Sequence, residues 1–334
     1  SRPVGVLGAV SMGGSAAVNA AMLEYFNIRV FAAPITLANF ALLGWFLGLG
    51  RAGVGLALQV VLNGLNIVLS TWLVLGLGWG VAGVAWGSVA AEAATLVLGA
   101  VLVARHADFS RGAEWARVFD AARFGRLFVL NRDIMIRSLA LLLVFAFFTA
   151  QGARQGDVIL AANAVLMHFF TLGANILDGF ATAAEQLVGY AIGARRRRAM
   201  TRAVRLTVVW SLGLGGLISA LLIGLGPIFI DLMTINPQVR DVARDYLIWA
   251  ALTPLVGALA FEFDGVFIGA TWSVEMRNMA LFSLAVAGVV WWFAMPALGN
   301  DGLWLTLQVF LACRGASLMA RYPKCLAATF TRTR

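Results

Sequence analysis

The chain has 334 residues, of which 61% are hydrophobic and 12% are charged. Ordinary soluble domains are about 45–50% apolar and about 25% charged, so most of this chain must face lipid rather than water. Lysine and arginine number 25 against 16 acidic residues, but they stand in short clusters between apolar runs, which favours membrane topology over nucleic acid as their explanation. The only two cysteines, Cys313 and Cys325, lack CxxC spacing and support neither a disulfide framework nor a zinc site.

The apolar runs are long enough to cross a membrane as helices. A helix needs ~20 apolar residues to cross the ~30 Å hydrocarbon core. After a short apolar tail at about 1–10, this length predicts nine spans, near 30–50, 55–75, 81–104, 134–151, 158–194, 204–226, 246–269, 278–297 and 302–321. The runs lack the period-2 alternation of a membrane β-barrel. The predicted fold class is therefore all-α, a polytopic integral membrane protein.

The distribution of basic residues predicts the orientation of these spans, because positively charged loops stay on the cytoplasmic side. One set of alternate loops holds 18 basic residues, namely Arg51, six arginines in 105–132, six in 195–205, Arg277 and four residues in 321–334. The other set holds Arg29, Arg154, Arg240 and Arg244, with Arg2 in the terminal tail. We expect the first set and the C-terminus to be cytoplasmic. The RRRR run at 195–198 could also touch anionic lipid, but a topology signal explains it more simply.

An internal repeat predicts two lobes. The stretch from Pro3 to Gly48 resembles that from Pro227 to Gly269, and Tyr25 precedes Gly48 by the same 23 residues as Tyr246 precedes Gly269. The spacing from tyrosine to proline differs by one residue between the two stretches, so the likeness could also be a coincidence. A parallel repeat is typical of two-lobed secondary transporters.

The repeat also predicts the domain organisation. We expect the remaining part of an N-lobe at 1–104, a basic cytoplasmic interlobe loop with an amphipathic interfacial segment at 105–133, a six-span C-lobe at 134–321 and a cytoplasmic tail at 322–334. By symmetry the first lobe should also have six spans and shows three. We therefore expect an N-terminally truncated chain with nine of twelve helices.

Several segments resemble a known family. They are YFNIRVFAAP at 25–34, NFALLGWFLG at 39–48, LNIVLSTWLVLGLG at 65–78, NRDIMIRSLALLL at 131–143 and DGFATAAEQLVGYAIGA at 178–194. In this order, and with a basic central loop between two groups of spans, they are similar to the multidrug and toxic compound extrusion (MATE) exporters, particularly their DinF branch. The likeness covers nearly the whole chain. It implies two pseudo-symmetric helical lobes, with the spans present corresponding to helices 4–12.

Ionisable side chains at membrane depth are costly, so each is a candidate functional residue. Asp178 and Glu185 lie seven apart on one face of the fifth span, and Glu262 and Asp264 lie in the seventh. A carboxyl group removed from water binds a proton more readily, which lets it exchange a proton for another cation. Hydrogen bonding to a neighbouring helix or a position at the cytoplasmic mouth is the alternative for Asp178 and Glu185. Because Glu262 and Asp264 point to nearly opposite sides of a helix, at most one should face a central cavity.

Three asparagines are further binding candidates, because an amide in lipid must find a partner. They are Asn39, Asn66 and Asn175. The family resemblance implies that Asn39 and Asn66 join an aspartate of the family's first helix in a polar N-lobe cluster. Ser70 stands where the family often has another aspartate, which weakens that cluster. Packing between helices is the equal alternative.

Three further features of the spans carry structural predictions. Pro34 and Pro254 predict helix kinks that free carbonyl groups near a cavity, although kinks are also common as static packing features. Asp133 and Arg137, four apart, predict an ion pair at a helix start rather than a transport site.

Together these features favour a secondary antiporter that exports organic, often cationic, small molecules in exchange for H⁺ or Na⁺. Such a protein is not an enzyme, and we expect a monomer in the bacterial inner membrane with no resident cofactor, metal or nucleic-acid partner. A flippase of a lipid-linked sugar is the runner-up, but only Arg314 and Arg137 lie near membrane depth. A haem subunit would need paired histidines within spans, and only His106 and His168 occur. An inactive or scaffold fragment stays open.

Overall fold

A computed structural model describes residues 16–106 and 120–331, and these residues form helices joined by short turns. The helices in this part of the chain are α1 Ala16–Gly48, α2 Ala52–Thr71, α3 Gly80–His106, α4 Ala121–Arg154, α5 Asp157–Gly193, α6 Arg197–Met233, α7 Pro237–Asp245, α8 Leu247–Gly269, α9 Ser273–Leu298 and α10 Asn300–Thr331. One π-helical segment, Trp72–Gly76, continues α2. All but the short α7 are long and apolar enough to cross a membrane, which confirms the nine predicted spans and the all-α class.

The helices extend beyond the apolar runs from which they were predicted. The arginines of 197–205 and the residues of 121–133, which the sequence analysis placed in loops, belong to the first turns of α6 and α4. Arg29 was also counted as a loop residue, and it lies inside α1. Helices continue into the polar membrane boundary because their backbone hydrogen bonds stay satisfied there, whereas a hydropathy scan stops at the first charged cluster.

Contacts between Cα atoms divide the chain into two compact units, 1–115 and 116–334. In the first unit, α3 packs against both α1 and α2. In the second unit, α8 is the most buried span and packs against α5, α6 and α10, while α9 packs against α4 and α10. The predicted apolar tail at 1–10, much of the interlobe segment, including Trp115 and Phe119, and residues 332–334 lie outside the described residues.

The two stretches of the proposed repeat differ in their helix boundaries. Tyr25 lies in the interior of α1, whereas Tyr246 stands between α7 and α8. The short α7 begins with Pro237 after Asn236, whose side chain accepts hydrogen bonds from the backbone amides of Gln238 and Val239. This capped turn interrupts the second stretch where the first stretch continues as one helix.

Glycines allow α5 and α6 to approach α8 closely. A Cβ atom at Gly173 of α5 would lie 2.6 Å from Cγ of Pro254, and one at Gly215 of α6 would lie 2.8 Å from the Pro254 carbonyl oxygen. A Cβ atom at Gly265 of α8 would collide with the backbone of Ala181. The small residues therefore hold the backbones of three helices in direct contact, as is usual for helices packed in membranes.

Pro254 interrupts the hydrogen bonding of α8, and two of the backbone groups around it have side-chain partners. The Thr253 hydroxyl donates to the Ala250 carbonyl at 2.6 Å, which replaces the amide that a proline lacks. The Leu255 amide donates to the Ser219 hydroxyl of α6 at 3.2 Å. The Ala250 carbonyl next to Pro254 therefore has a partner within its own helix, and the predicted kinks at Pro34 and Pro254 stay predictions. Pro34 lies in α1 and is exposed.

Candidate functional site

The second unit contains an open cavity of about 470 Å³ that is lined by helices α4, α5, α8 and α10. Its wall combines charged groups with aromatic rings and small side chains: Arg137, Asp178, Glu185, Asp264, Arg314, Phe145, Phe170, Phe261, Leu141, Leu311, Ile268, Ala174, Ala181, Thr182 and Gly265. With every group ionised, three carboxylates face two guanidinium groups. The cavity can therefore offer a ligand a net negative charge together with aromatic surface.

Asp178 and Glu185 reach this cavity from the same face of α5. Their spacing of seven residues is two helical turns, so both side chains point the same way. In the described part of the chain, no residue donates a hydrogen bond to either carboxylate and neither forms an ion pair. The oxygens of both carboxylates are therefore available to a ligand or a cation.

Asp264 of α8 also lines the cavity, but its carboxylate is already paired. The Arg137 guanidinium of α4 donates to Asp264 Oδ2 at 2.7 Å, and Arg314 of α10 pairs with the same oxygen. The side chain of Arg314 is only 3% exposed, and that of Arg137 is 15% exposed. Asp264 thus joins three helices around the cavity and neutralises part of its positive charge.

Glu262 is placed differently from Asp264, as their spacing on the helix predicts. It is fully buried and does not line the cavity. It lies towards Thr207 of α6, and neither carboxylate oxygen has a hydrogen-bond partner among the described residues. Asn175 is exposed and lies outside the cavity wall. The structure therefore brings Asp178, Glu185 and Asp264 together and leaves Glu262 and Asn175 apart from them.

The predicted ion pair between Asp133 and Arg137 is wrong. Asp133 is 0% exposed and pairs with Arg277 of α9 at 2.6 Å, and the Ser273 hydroxyl donates to its other oxygen at 3.1 Å. Arg137 pairs with Asp264 instead. Both residues stand inside α4 rather than at its start, and each finds a partner on another helix because a span surrounded by helices offers closer partners than its own next turn.

The first unit has its own polar cluster, centred on Glu92 of α3. Arg29 donates to one oxygen of the Glu92 carboxylate at 2.8 Å, and the Thr36 hydroxyl donates to the other at 2.6 Å. Asn39 donates to the Glu92 backbone carbonyl at 2.8 Å. A cavity of about 100 Å³ opens beside this cluster.

The two asparagines predicted to join one polar cluster of this unit have different partners, and only Asn39 bonds to Glu92. Asn66 donates to the Ser88 hydroxyl at 2.8 Å, one turn along α3 from Glu92. Asn39 and Asn66 therefore each bond to α3. The ion pair between Arg29 and Glu92 was not predicted, because Arg29 precedes the apolar run from which the first span was located. An arginine and a glutamate in separate apolar spans would have been the available signal.

Comparisons with known proteins identify the family of this chain. The MatE family model matches residues 134–295. DNA damage-inducible protein F of Escherichia coli (strain K12) is 43% identical over 312 residues, which are 92% of this chain and 67% of that protein. The chain belongs to the MATE family of transporters. The sequence resemblance to this family and to its DinF branch is thereby confirmed.

More distant relatives agree with this membership. The probable multidrug resistance protein NorM of Rhizobium meliloti (strain 1021) is 26% identical over 90% of this MATE chain and 67% of its own length. The chloroplastic protein DETOXIFICATION 44 of Arabidopsis thaliana is 26% identical over 87% of the chain but only 55% of its own length. The chain thus spans about two thirds of the bacterial relatives and just over half of the plant one.

Solved structures share the fold. The Vibrio cholerae MATE transporter VcmN in its bent form superposes with a TM-score of 0.86 over 100% of this chain and 79% of that one, at 17% identity. A MATE protein in complex with MaL6 superposes with a TM-score of 0.85 over 99% of this chain and 75% of that one, at 18% identity. The chain is therefore a multi-pass membrane protein with the MATE transporter fold.

Proposed function

We propose that this MATE protein is a cation-coupled antiporter that exports organic, often cationic, small molecules. The observation that carries the proposal is the cavity of the second unit, where Asp178 and Glu185, two carboxylates that form no ion pair with any described residue, lie beside phenylalanine rings. An organic cation can place its charge at the carboxylates and its apolar part against the rings. Export of drugs is also in keeping with the name of the related NorM protein.

Exchange follows if the coupling ion and the substrate need the same carboxylates. A proton neutralises a carboxylate, and a sodium ion occupies its oxygens, so either removes the charge that attracts an organic cation. A ligand shifts the equilibrium between two transporter states only by its difference in affinity for them. Competition at Asp178 and Glu185 would therefore let an inward ion gradient drive the substrate outward.

We also propose the membrane in which the protein lies and the side on which its C-terminus lies. We place the protein in a bacterial inner membrane with its C-terminus in the cytoplasm, because 18 of 25 basic residues belong to the set of alternate segments that contains the C-terminal tail. Arg29 pairs with Glu92 inside the first unit and no longer counts toward the opposite set, which strengthens the asymmetry.

A second candidate function has one observation in its favour. A flippase of a lipid-linked substrate would need cationic groups for an anionic headgroup, and Arg137 and Arg314 do line the cavity. Both, however, are paired with Asp264, whereas the carboxylates of Asp178 and Glu185 have no ion pair among the described residues. The groups available to a ligand therefore favour a cation over an anion.

The proposal is tested by efflux of a cationic dye such as ethidium from proteoliposomes, with a proton or a sodium gradient imposed separately. We expect one of the gradients to drive efflux and Asp178→Asn or Glu185→Gln to abolish it. Asp157→Asn is the matched control, because Asp157 is an exposed carboxylate at the start of the same helix. Efflux that neither gradient drives would refute the antiporter, and full efflux in both cavity variants would refute their role.

A further inference from the structure

Helix α6 has two faces that differ in their surroundings. One face packs into the second unit and is buried, with Met200, Val204, Thr207 and Ser211 at helical spacing. The opposite face is exposed along its length and carries Arg198, Thr201, Arg202, Arg205, Leu206, Val209, Trp210 and Gly213. The exposed face is therefore a continuous stripe that meets the surroundings of the protein.

The chemistry of this exposed stripe changes sharply after Arg205. Four arginines lie within the first nine residues of α6, at 197, 198, 202 and 205, and the next charged residue of the helix is Asp231. The 25 uncharged residues between Arg205 and Asp231 span about 37 Å along the helix axis at 1.5 Å per residue, which is enough for the ~30 Å hydrocarbon core. We therefore expect lipid headgroups to meet acyl chains at the level of Arg205 and Leu206.

The four arginines at the start of α6 differ from the paired arginines of the cavity. Within the described part of the chain, none of Arg197, Arg198, Arg202 and Arg205 forms an ion pair. Together with Thr201 they line an open cavity of about 520 Å³. The first turn of α6 contains no acidic residue, and no side chain in 16–106 or 120–331 caps its amides, so the positive end of the helix dipole also faces this region.

We propose that this exposed stripe of α6 binds an anionic phospholipid. The phosphate lies among Arg198, Arg202 and Arg205, where guanidinium groups can donate to its oxygens in pairs. An acyl chain then runs along Leu206, Val209 and Gly213, where a Cβ atom at Gly213 would meet no other atom within 4 Å. The apolar continuation favours a lipid over a free phosphate ion, because a free ion would use only the arginines. The site stands apart from the transport cavity and does not depend on the proposed antiport.

The proposal is tested by titrating the purified chain in detergent with phosphatidylglycerol or phosphatidylcholine and counting bound lipids by native mass spectrometry. We expect preferential binding of phosphatidylglycerol, and the variant R198Q/R202Q/R205Q should weaken it roughly ten- to hundred-fold. The variant R198K/R202K/R205K keeps the charge but loses the paired donors, so it should bind less tightly than the unmodified protein and more tightly than R198Q/R202Q/R205Q. Thermal unfolding and gel filtration of each variant verify that it is folded.

A second triple variant, R51Q/R105Q/R154Q, is the matched control. It removes the same charge from three exposed arginines near helix ends that have no ion pair among the described residues. Retained binding in this control supports a localised site. Equal loss in both triple variants, equal affinity for the two lipids, or unchanged binding in R198Q/R202Q/R205Q would overturn the proposal. Displacement of the lipid by millimolar inorganic phosphate would identify the ligand as a free anion and overturn the lipid assignment.

Discussion

Arg137 of α4 donates to the Asp264 carboxylate of α8 at 2.7 Å, although 127 residues separate them in the chain. Arg314 of α10 pairs with the same oxygen, so one carboxylate balances two guanidinium groups. This arrangement leaves Asp178 and Glu185 as the carboxylates of the cavity without an ion pair among the described residues. The triad of Arg137, Asp264 and Arg314 therefore determines which charged groups of the cavity remain for a ligand.

Substituting Asp264 by Asn should destabilise the protein strongly. The change removes the carboxylate with which the nearly buried Arg137 and Arg314 both pair, and removal of one partner from a buried pair costs about 3–5 kcal/mol. Thermal unfolding in detergent measures the loss. Asp231→Asn is the control, because Asp231 is 41% exposed in its pairs with Arg240 and Arg244, and such a pair contributes ~1 kcal/mol or less. Equal unfolding temperatures for the two variants would contradict the structural role of the triad.

Substituting Gly265 by Ala should weaken the contact between α5 and α8. The added methyl group would collide with the backbone of Ala181, and overpacking of this kind costs about 1–3 kcal/mol. At Gly179 of α5 no atom would lie within 4 Å of the new Cβ, so Gly179→Ala should be neutral or stabilise the helix by up to ~1 kcal/mol. Unfolding of both variants in the same detergent provides the comparison, and a stable Gly265→Ala would show that the helices can separate without cost.

Substituting Thr253 by Val should destabilise α8 at its proline. The change keeps the shape of the side chain but removes the hydroxyl that donates to the Ala250 carbonyl, and a buried unpaired carbonyl costs about 1–3 kcal/mol. Thr171→Val is the control, since the exposed Thr171 hydroxyl donates to the Met167 carbonyl, within a part of α5 where no proline removes the helical amide. Chemical denaturation should show a loss of about 0.5 kcal/mol or less for the control. Equal losses in both would argue against a special role for Thr253.

The sequence predicted the fold well because a helix that crosses lipid must be long and apolar, and both properties can be read from the chain. Length and hydropathy located all nine spans, and the spacing of Asp178 and Glu185 predicted that they share one helix face, which in the structure lines the cavity. Helix geometry also predicted that Glu262 and Asp264 would face different surroundings. These inferences needed only the local periodicity of a helix and the cost of charge in lipid.

The side-chain partners that lie on different helices could not be predicted from the sequence. The i, i+4 rule paired Asp133 with Arg137, but Arg277 and Asp264 lie closer once the helices are packed. Arg29 pairs with Glu92, which lies 63 residues further along the chain. The Ala250 carbonyl next to Pro254 accepts a hydrogen bond from Thr253. Each pair between helices depends on which helices are neighbours, which hydropathy along the chain does not determine.

The central claim is that a coupling cation and an organic substrate compete for Asp178 and Glu185. The most direct test is the affinity of the purified protein for ethidium, measured by fluorescence anisotropy while pH and sodium concentration are varied separately. We predict that acidification or added sodium weakens ethidium binding, and that this dependence disappears in Asp178→Asn/Glu185→Gln but persists in Asp157→Asn. An ethidium affinity that is insensitive to both ions in the unmodified protein, or an ion dependence that survives in the double variant, would contradict the claim.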